Sequence, residues 1–583
     1  MQPTDQERQV VQHVLDLFGR AKRHRDPIFK MWRKNYQMLL NRHPRSRQRP
    51  DWLPAPEVAE ILPIVMTIAG WITDQRPVVN VASAQPPHGP TAATFDQLAV
   101  DLQYVLDASF HANREQREIG RSAIDAVAYG TSIFKTYWDP WAAGGAGDAT
   151  FCRVSPFNFY PDPIASDETD GNYYIEARQM SLQELDRRFP GTYEMFTEGL
   201  SGGGASIDQA PMRGDNTASS QEGPIPGSIG AGHPGAATTR SSGSNRMDER
   251  GADRIVTVLE CWVREHEIVD IVDQRTGKEK QAASDEWRLL VVADNRLVYE
   301  ATAKDLWDHG RHPYDRFPYI DLGDGFWGLS MVEMLSSPQT AYNRLLAAFQ
   351  HNAELTGNPM LRRPKGQSRT PLRNKPGSVI ETAGAADQTT DWLTPPPLQM
   401  AMVSVLEFYL KRMEAISGLT AVVKGSTPSG RNAEGVVDAV QEAAFVRIRS
   451  TLRHLEYALR GVFDKKASLV CSNYTTPRMV TIAGRGAERS SIAIAGGHFL
   501  TPTPEGRVPL VYSLNVDAGA EQHTARSMRE DRAIQLFTLG AYDQEALLEE
   551  LQVPNWQTIA ERVQSKMEAG AMAAPGARQR ARA

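Results

Sequence analysis

At 583 residues the chain exceeds what one hydrophobic core usually serves, so two or more structural units are expected. Hydrophobic residues make up 41% and charged residues 23%, ordinary values for a folded protein. A formal net charge of −6 argues against a protein that grips nucleic acid over its whole surface, which would be basic.

Cys152, Cys261 and Cys471 lie far apart with no paired metal-ligand spacing, which argues against a disulfide framework or structural zinc and suits synthesis in a reducing cytoplasm. The polar N-terminus reads as a helix rather than a signal peptide. Thr4 and Glu7 form a capping box, and Val10, Val11, Val14, Leu17 and Phe18 recur at helical spacing. Phe29, Trp32, Tyr36 and Leu39 continue the pattern after Pro27. A second helix is expected over 57–73; its apolar run, 61–72, holds Pro63 and Gly70 and is too short to span a bilayer. A third carries Phe95, Leu98, Leu102, Val105 and Leu106, and a fourth carries Ile119, Ala123, Ile124 and Val127 and stops at Gly130.

Strands are then expected at 131–138 and 152–160, closed by Asp139-Pro140 and Pro161-Asp162-Pro163. Ser181 and Glu184 open a short helix that Pro190 ends. Residues 201–251 are rich in Gly, Ser, Ala and Pro and read as a disordered insertion. An antiparallel meander follows, with strands at 255–264, 268–273, 287–293 and 296–299, a turn at 275–278, and Pro313 and Pro318 closing it. Two amphipathic helices come next. The first places Met331, Leu335, Pro338, Tyr342, Leu345 and Phe349 on one stripe and stops near Gly357-Asn358-Pro359. The second places Leu398, Met402, Val405, Tyr409, Met413 and Ile416 on another and stops at Gly418. Short strands are expected between them at 360–363 and 378–381. A Gly/Ser/Thr-rich loop, 418–432, leads to a long helix bearing Val436, Val440, Ala444, Ile448, Leu452, Leu455, Leu459 and Phe463. A strand at 510–516 precedes C-terminal helices and a small, basic tail from Ala569.

Enzymatic signatures are lacking. There is no phosphate-cradling G-x-x-x-x-G-K-[ST] loop and no G-x-S-x-G elbow, and Gly323-Asp324-Gly325 reads as a turn. His309 and His312 read as surface-loop residues, and Asp139 and Asp162 as turn caps rather than a catalytic pair. No catalytic residue, metal site or cofactor is assigned. The charged feature that stands out is Arg362, Arg363, Lys365, Arg369, Arg373 and Lys375, which no acid interrupts. It reads either as a solvated Pro/Gly-rich loop or as a basic tip that meets DNA phosphates or an acidic partner. Lys424 and Arg431 form a second, smaller pair that suits transient phosphate contact.

Four stretches, taken in order, resemble the portal proteins of tailed bacteriophages. They are Asp125–Gly130 with 132–135 and 154–163; Phe317-Pro318-Tyr319 with 327–330, Pro338, Gln339, Asn343 and 358–359; 430–434 with 441–444 and Arg447; and 539–543 with Leu547-Leu548 and 553–555. The resemblance implies an α+β ring subunit, commonly one of twelve. Its parts would be a wing (1–323, carrying the 201–251 insertion), a stem of two helices (324–358 and 397–417) and a clip between them (359–396). A tunnel loop (418–432), a long helix with further wing strands (433–520), a helical crown (521–570) and a tail (571–583) would follow. It further implies a non-enzymatic role at the capsid vertex of the virion, after assembly in the bacterial cytoplasm. Partners would be identical copies, the terminase large subunit, major capsid and scaffolding proteins, a head–tail adaptor, and double-stranded DNA passing without sequence readout. The clip cations would serve docking, and Lys424 and Arg431 would touch DNA. The rival readings are another head–tail adaptor or a nuclease with a dispersed site.

Overall fold

The computed structural model describes residues 4–41, 56, 58–84, 92–197, 255–272, 279–357, 360–362, 391–393, 401–419, 433–482, 490–494, 497–503 and 506–518, with 533–534, 536–539 and 547. In chain order they form helices α1 (Asp5–Leu39) and α2 (Ile61–Thr73), strand β1 (Val78–Ser83), and helices α3 (Ala92–Ala112) and α4 (Glu115–Tyr129). Strands β2 (Thr131–Asp139), β3 (Asp148–Val154), β4 (Phe159–Pro161) and β5 (Tyr173–Ser181) come next. Short helices α5 (Leu182–Arg188) and α6 (Thr192–Thr197) precede β6 (Ile255–Val272), β7 (Glu279–Ala293), β8 (Arg296–Thr302) and β9 (Tyr314–Pro318). Helix α7 (Met331–Gly357), strands β10 (Met360–Arg362) and β11 (Asp391–Leu393), and helices α8 (Ala401–Ser417) and α9 (Ala433–Asn473) follow. Strands β12 (Arg478–Ile482), β13 (Ser490–Ile494), β14 (Leu500–Thr503), β15 (Gly506–Pro509) and β16 (Tyr512–Asp517) complete the set.

The chain is therefore mixed helix and strand, as the α+β assignment requires. It divides into two compact units: Met1–Lys30 with Ile68–Ser330 and Phe445–Ala583, and Met31–Thr67 with Met331–Ala444.

The first unit is built on a five-stranded antiparallel sheet, β4-β5-β6-β7-β8, and a three-stranded one, β3-β2-β9. The five-stranded sheet buries both faces, and the period of two sorts its side chains. Tyr173, Ile175, Leu259, Cys261, Leu290 and Val292 meet Val11, Val14, Leu17 and Phe18 of α1. The alternate residues Tyr174, Val258, Trp262, Leu289 and Val291 join a second cluster with Phe159 and Phe326. Each such large apolar side chain contributes roughly 1.5–3 kcal/mol on burial.

Helix α1 opens on the expected capping box: Glu7 N donates to Thr4 Oγ1 at 3.3 Å and Thr4 N to Glu7 Oε2 at 2.7 Å. It then runs unbroken through Pro27. Proline removes the bond to the Arg23 carbonyl, a loss of roughly 3 kcal/mol in a helix interior. Both residues are exposed, so water can take up that carbonyl.

Other expectations are corrected. The stretch 152–160 is not one strand: β3 ends at Val154, a 3₁₀ turn spans Pro156–Asn158, and β4 begins at Phe159. The two strands expected at 255–264 and 268–273 are one, β6. Charges near its middle pair across the hairpin: Arg264 with Asp285 at 3.1 Å and Arg288 with Glu265 at 2.8 Å. Pro318 does not close the meander; it ends an edge strand, β9, which pairs with β2. The second helix starts at Ile61 rather than at residue 57, and the 510–516 strand lies at Tyr512–Asp517, paired with β1. The expected 378–381 strand, the 275–278 turn, the 201–251 insertion and the basic tail lie outside the described residues.

Candidate functional site

Parts of the first two stretches singled out in the sequence converge within the first unit. Gly130 caps α4 at φ +89°. A Cβ there would strike the carbonyl of Gly328, and one on Gly328 would strike the carbonyls of Gly130 and Ile320. Glycine is thus required by both backbone conformation and approach distance. Tyr319 N donates to Gly130 O at 2.8 Å, and Gly328 N to Thr131 Oγ1 at 2.7 Å. The Pro156–Tyr160 segment is held by Arg25 of α1. Its Nη1 donates to Phe157 O at 2.7 Å and Phe159 O at 3.2 Å, and its Nη2 to Tyr160 Oη at 2.9 Å.

Helix α9 is fastened by two consecutive buried lysines. Lys465 Nζ reaches Tyr314 O at 2.8 Å and Asp315 Oδ1 at 2.9 Å. Lys466 Nζ reaches both oxygens of Glu115, at 2.6 and 2.7 Å, and neither side chain is exposed. Gly461 gives Asp315 room; a Cβ at that position would meet its carboxylate. Thr451 Oγ1 adds a bond to Tyr319 O at 3.1 Å. A further buried network joins Lys135 to Glu176 at 3.0 Å and to Glu260 at 2.5 Å, with Arg178 also on Glu176. Burial alone would lift the Glu176 carboxyl, but Lys135 and Arg178 outweigh it and hold it at about 2.

His312 is not a surface residue. It is buried among the rings of Tyr174, Trp287 and Tyr314, with Nε2 2.7 Å from Glu168 O and Nδ1 accepting from Tyr314 N at 3.3 Å. Burial, reinforced by Lys465, pushes it well below the ordinary histidine range. His309 is half-buried and is pushed down to about 3 by the same two causes. Asp139 and Asp162 do cap turns: Trp141 N donates to Asp139 Oδ1 at 3.0 Å, and Ile164 N to Asp162 Oδ1 at 3.3 Å. These polar groups make hydrogen bonds with the fold's own atoms. Among the described residues no group of three or more His, Cys, Asp or Glu could hold a metal ion, and no helix is long and apolar enough to cross a membrane.

In the second unit α7 and α8 pack together, and a two-stranded ribbon lies between them in sequence. On α7 the expected stripe is buried at Met331, Leu335 and Tyr342 and half-buried at Leu345 and Phe349. Gln339 is buried with it, Nε2 donating to Val58 O at 2.8 Å and Asn343 Oδ1 at 3.2 Å. Helix α8 differs. Met413 is buried, but Val403 and Val405 are each 40% exposed and Phe408 is 60% exposed, with Met402 and Tyr409 half-buried. Gly418, at φ +76°, stops α8 by donating its N–H to Glu414 O at 2.9 Å.

Of the expected basic tip, Arg362 is the last residue of β10 and pairs in register with Asp391. Arg363, Lys365, Arg369, Arg373, Lys375, Lys424 and Arg431 lie outside the described residues.

A family model described as phage P22-like portal protein matches residues 47–583, and the chain belongs to that family. It is a bacteriophage capsid-vertex protein of a kind that is structural rather than enzymatic. No curated protein matches it.

Proposed function

We propose that this chain forms a ring, of twelve copies by analogy with portals, through which double-stranded DNA is packaged into the capsid and later ejected. The terminase large subunit docks during packaging and a head–tail adaptor afterwards, with capsid and scaffolding proteins around the ring. The motor's ATP chemistry belongs to the terminase, in keeping with a sequence that has no phosphate loop. Arg362, Arg363, Lys365, Arg369, Arg373 and Lys375 form the docking collar, and Lys424 and Arg431 touch passing DNA.

The observation that supports this reading best is an exposed apolar pair on α8. Val405 and Phe408, 40% and 60% exposed, lie about 60° apart around a helix whose apolar spacing calls for burial. A neighbouring copy in a closed ring covers such a face by repeating one heterologous contact. Burying the exposed part of Phe408 alone contributes roughly 1–2 kcal/mol per contact. Negative-stain microscopy with mass measurement tests it. The unaltered chain should give annular particles with an axial hole, and Phe408→Asp with Val405→Asp should give folded single chains. An unaltered chain that stays solitary under every assembly condition would end the proposal.

A further inference from the structure

The net charge of −6 conceals a strong segregation. Residues 20–49 hold eleven Lys and Arg against one acid, Asp26, so this stretch is +10 and the remainder −16. Part of it is the middle of α1. Arg20, Arg23 and Lys30 are exposed there. At 3.6 residues per turn and 1.5 Å rise they fall within about 80° around the helix and about 15 Å along it. The opposite face, with Val14, Leu17, Phe18 and Ala21, is committed to the core. Asp16, to which Gln12 Nε2 donates at 3.0 Å, shares this outer face, so its net charge is positive but reduced, and it exposes no large apolar residue to insert, which disfavours a lipid surface.

We propose that the outer face of α1, centred on Arg20, Arg23 and Lys30, binds the phosphate backbone of duplex nucleic acid, apart from the channel loop. Arginine's fork matches phosphate oxygens, and a row of cations along a rigid rod meets the regular charge spacing of a duplex. Lys30 already holds Asp26 at 2.8 Å, so the two arginines lead and Lys30 assists. The inference depends on the portal reading for the presence of duplex DNA in the protein's surroundings; the binding is measurable without it.

The test uses the full-length protein and a fluorescein-labelled 30-bp duplex of arbitrary sequence, with anisotropy read across a salt series. Arg20→Gln/Arg23→Gln/Lys30→Gln should weaken binding at least about tenfold at 100 mM salt and make the log–log salt slope shallower by about 2–3. The charge-preserving variant Arg20→Lys/Arg23→Lys/Lys30→Arg should retain most of both. Unchanged affinity and slope in the Gln variant would overturn the proposal. So would polyglutamate binding more tightly than duplex and losing its binding in the same variant, an outcome that assigns the face to an acidic protein. Microscopy of the Gln variant separates the two readings: its rings should persist, and a failure of the unaltered chain to form rings bears on the portal reading alone.

Discussion

Lys466 and Glu115 offer a sharp perturbation, because both side chains are fully buried and bonded through two contacts of 2.6 and 2.7 Å. Lys466→Met leaves the Glu115 carboxyl without its counter-charge, and losing one partner of a buried pair costs about 3–5 kcal/mol. Glu115→Met orphans the ammonium at a similar cost. The double variant removes both desolvation penalties, worth about 1–4 kcal/mol. It gives up the favourable placement of a carboxylate in the first turn of α4, worth about 0.3–1 kcal/mol. Relief from desolvation outweighs that loss, so the double variant should recover most or all of the stability either single variant loses. Burial already raises the Glu115 carboxyl against the pull of Lys466, and removing the lysine raises it further. A raised carboxyl favours the folded state at low pH, so the Lys466→Met deficit should shrink between pH 7 and pH 5, by up to about 1.4 kcal/mol per unit. Urea midpoints followed by tryptophan fluorescence measure all of this. A double variant as unstable as the singles, or a single-variant loss under about 1 kcal/mol, would refute the reasoning.

Gly130→Ala should destabilise the first unit by about 2–5 kcal/mol, from left-handed backbone strain and the collision with Gly328. Gly120→Ala, in open space on the same helix, should stabilise it by about 0.5–1 kcal/mol; thermal melts of the two variants should move in opposite directions. His312 stays neutral in the fold while the unfolded chain takes up a proton below about pH 6.5, so stability should fall with falling pH by about 1.4 kcal/mol per unit. Subtracting the pH profile of His312→Gln isolates that slope, and identical profiles would exclude His312 as its source.

Helices were legible because their apolar positions repeat over several turns and their ends carry explicit chemistry, as at Thr4, Gly130 and Gly418. Strand β5 was not, because Tyr173 and Tyr174 feed clusters on opposite faces of a doubly covered sheet, which erases polar alternation. The break expected within β6 is absent because the strand continues through residues 265–267, where Glu265 and His266 find cross-strand partners in Arg288 and Asp285. His312 looked like a loop residue since no local pattern announces an aromatic cage assembled from Tyr174 and Trp287, both distant in sequence. The basic face of α1 is hidden in composition for a different reason: a net charge of −6 averages over a stretch of opposite sign.

The two units meet the problem of an unfinished surface differently. In the first, buried lysines at 465 and 466 each find a carboxylate, so register is fixed by the chain's own groups. A slip of α9 by one residue would strand both charges at once, a penalty far larger than any apolar mismatch. In the second, α8 leaves Val405 and Phe408 partly exposed. In the proposed ring, the buried charge pairs would hold the first unit's register before assembly, and closure of the ring would cover Val405 and Phe408 of the second unit.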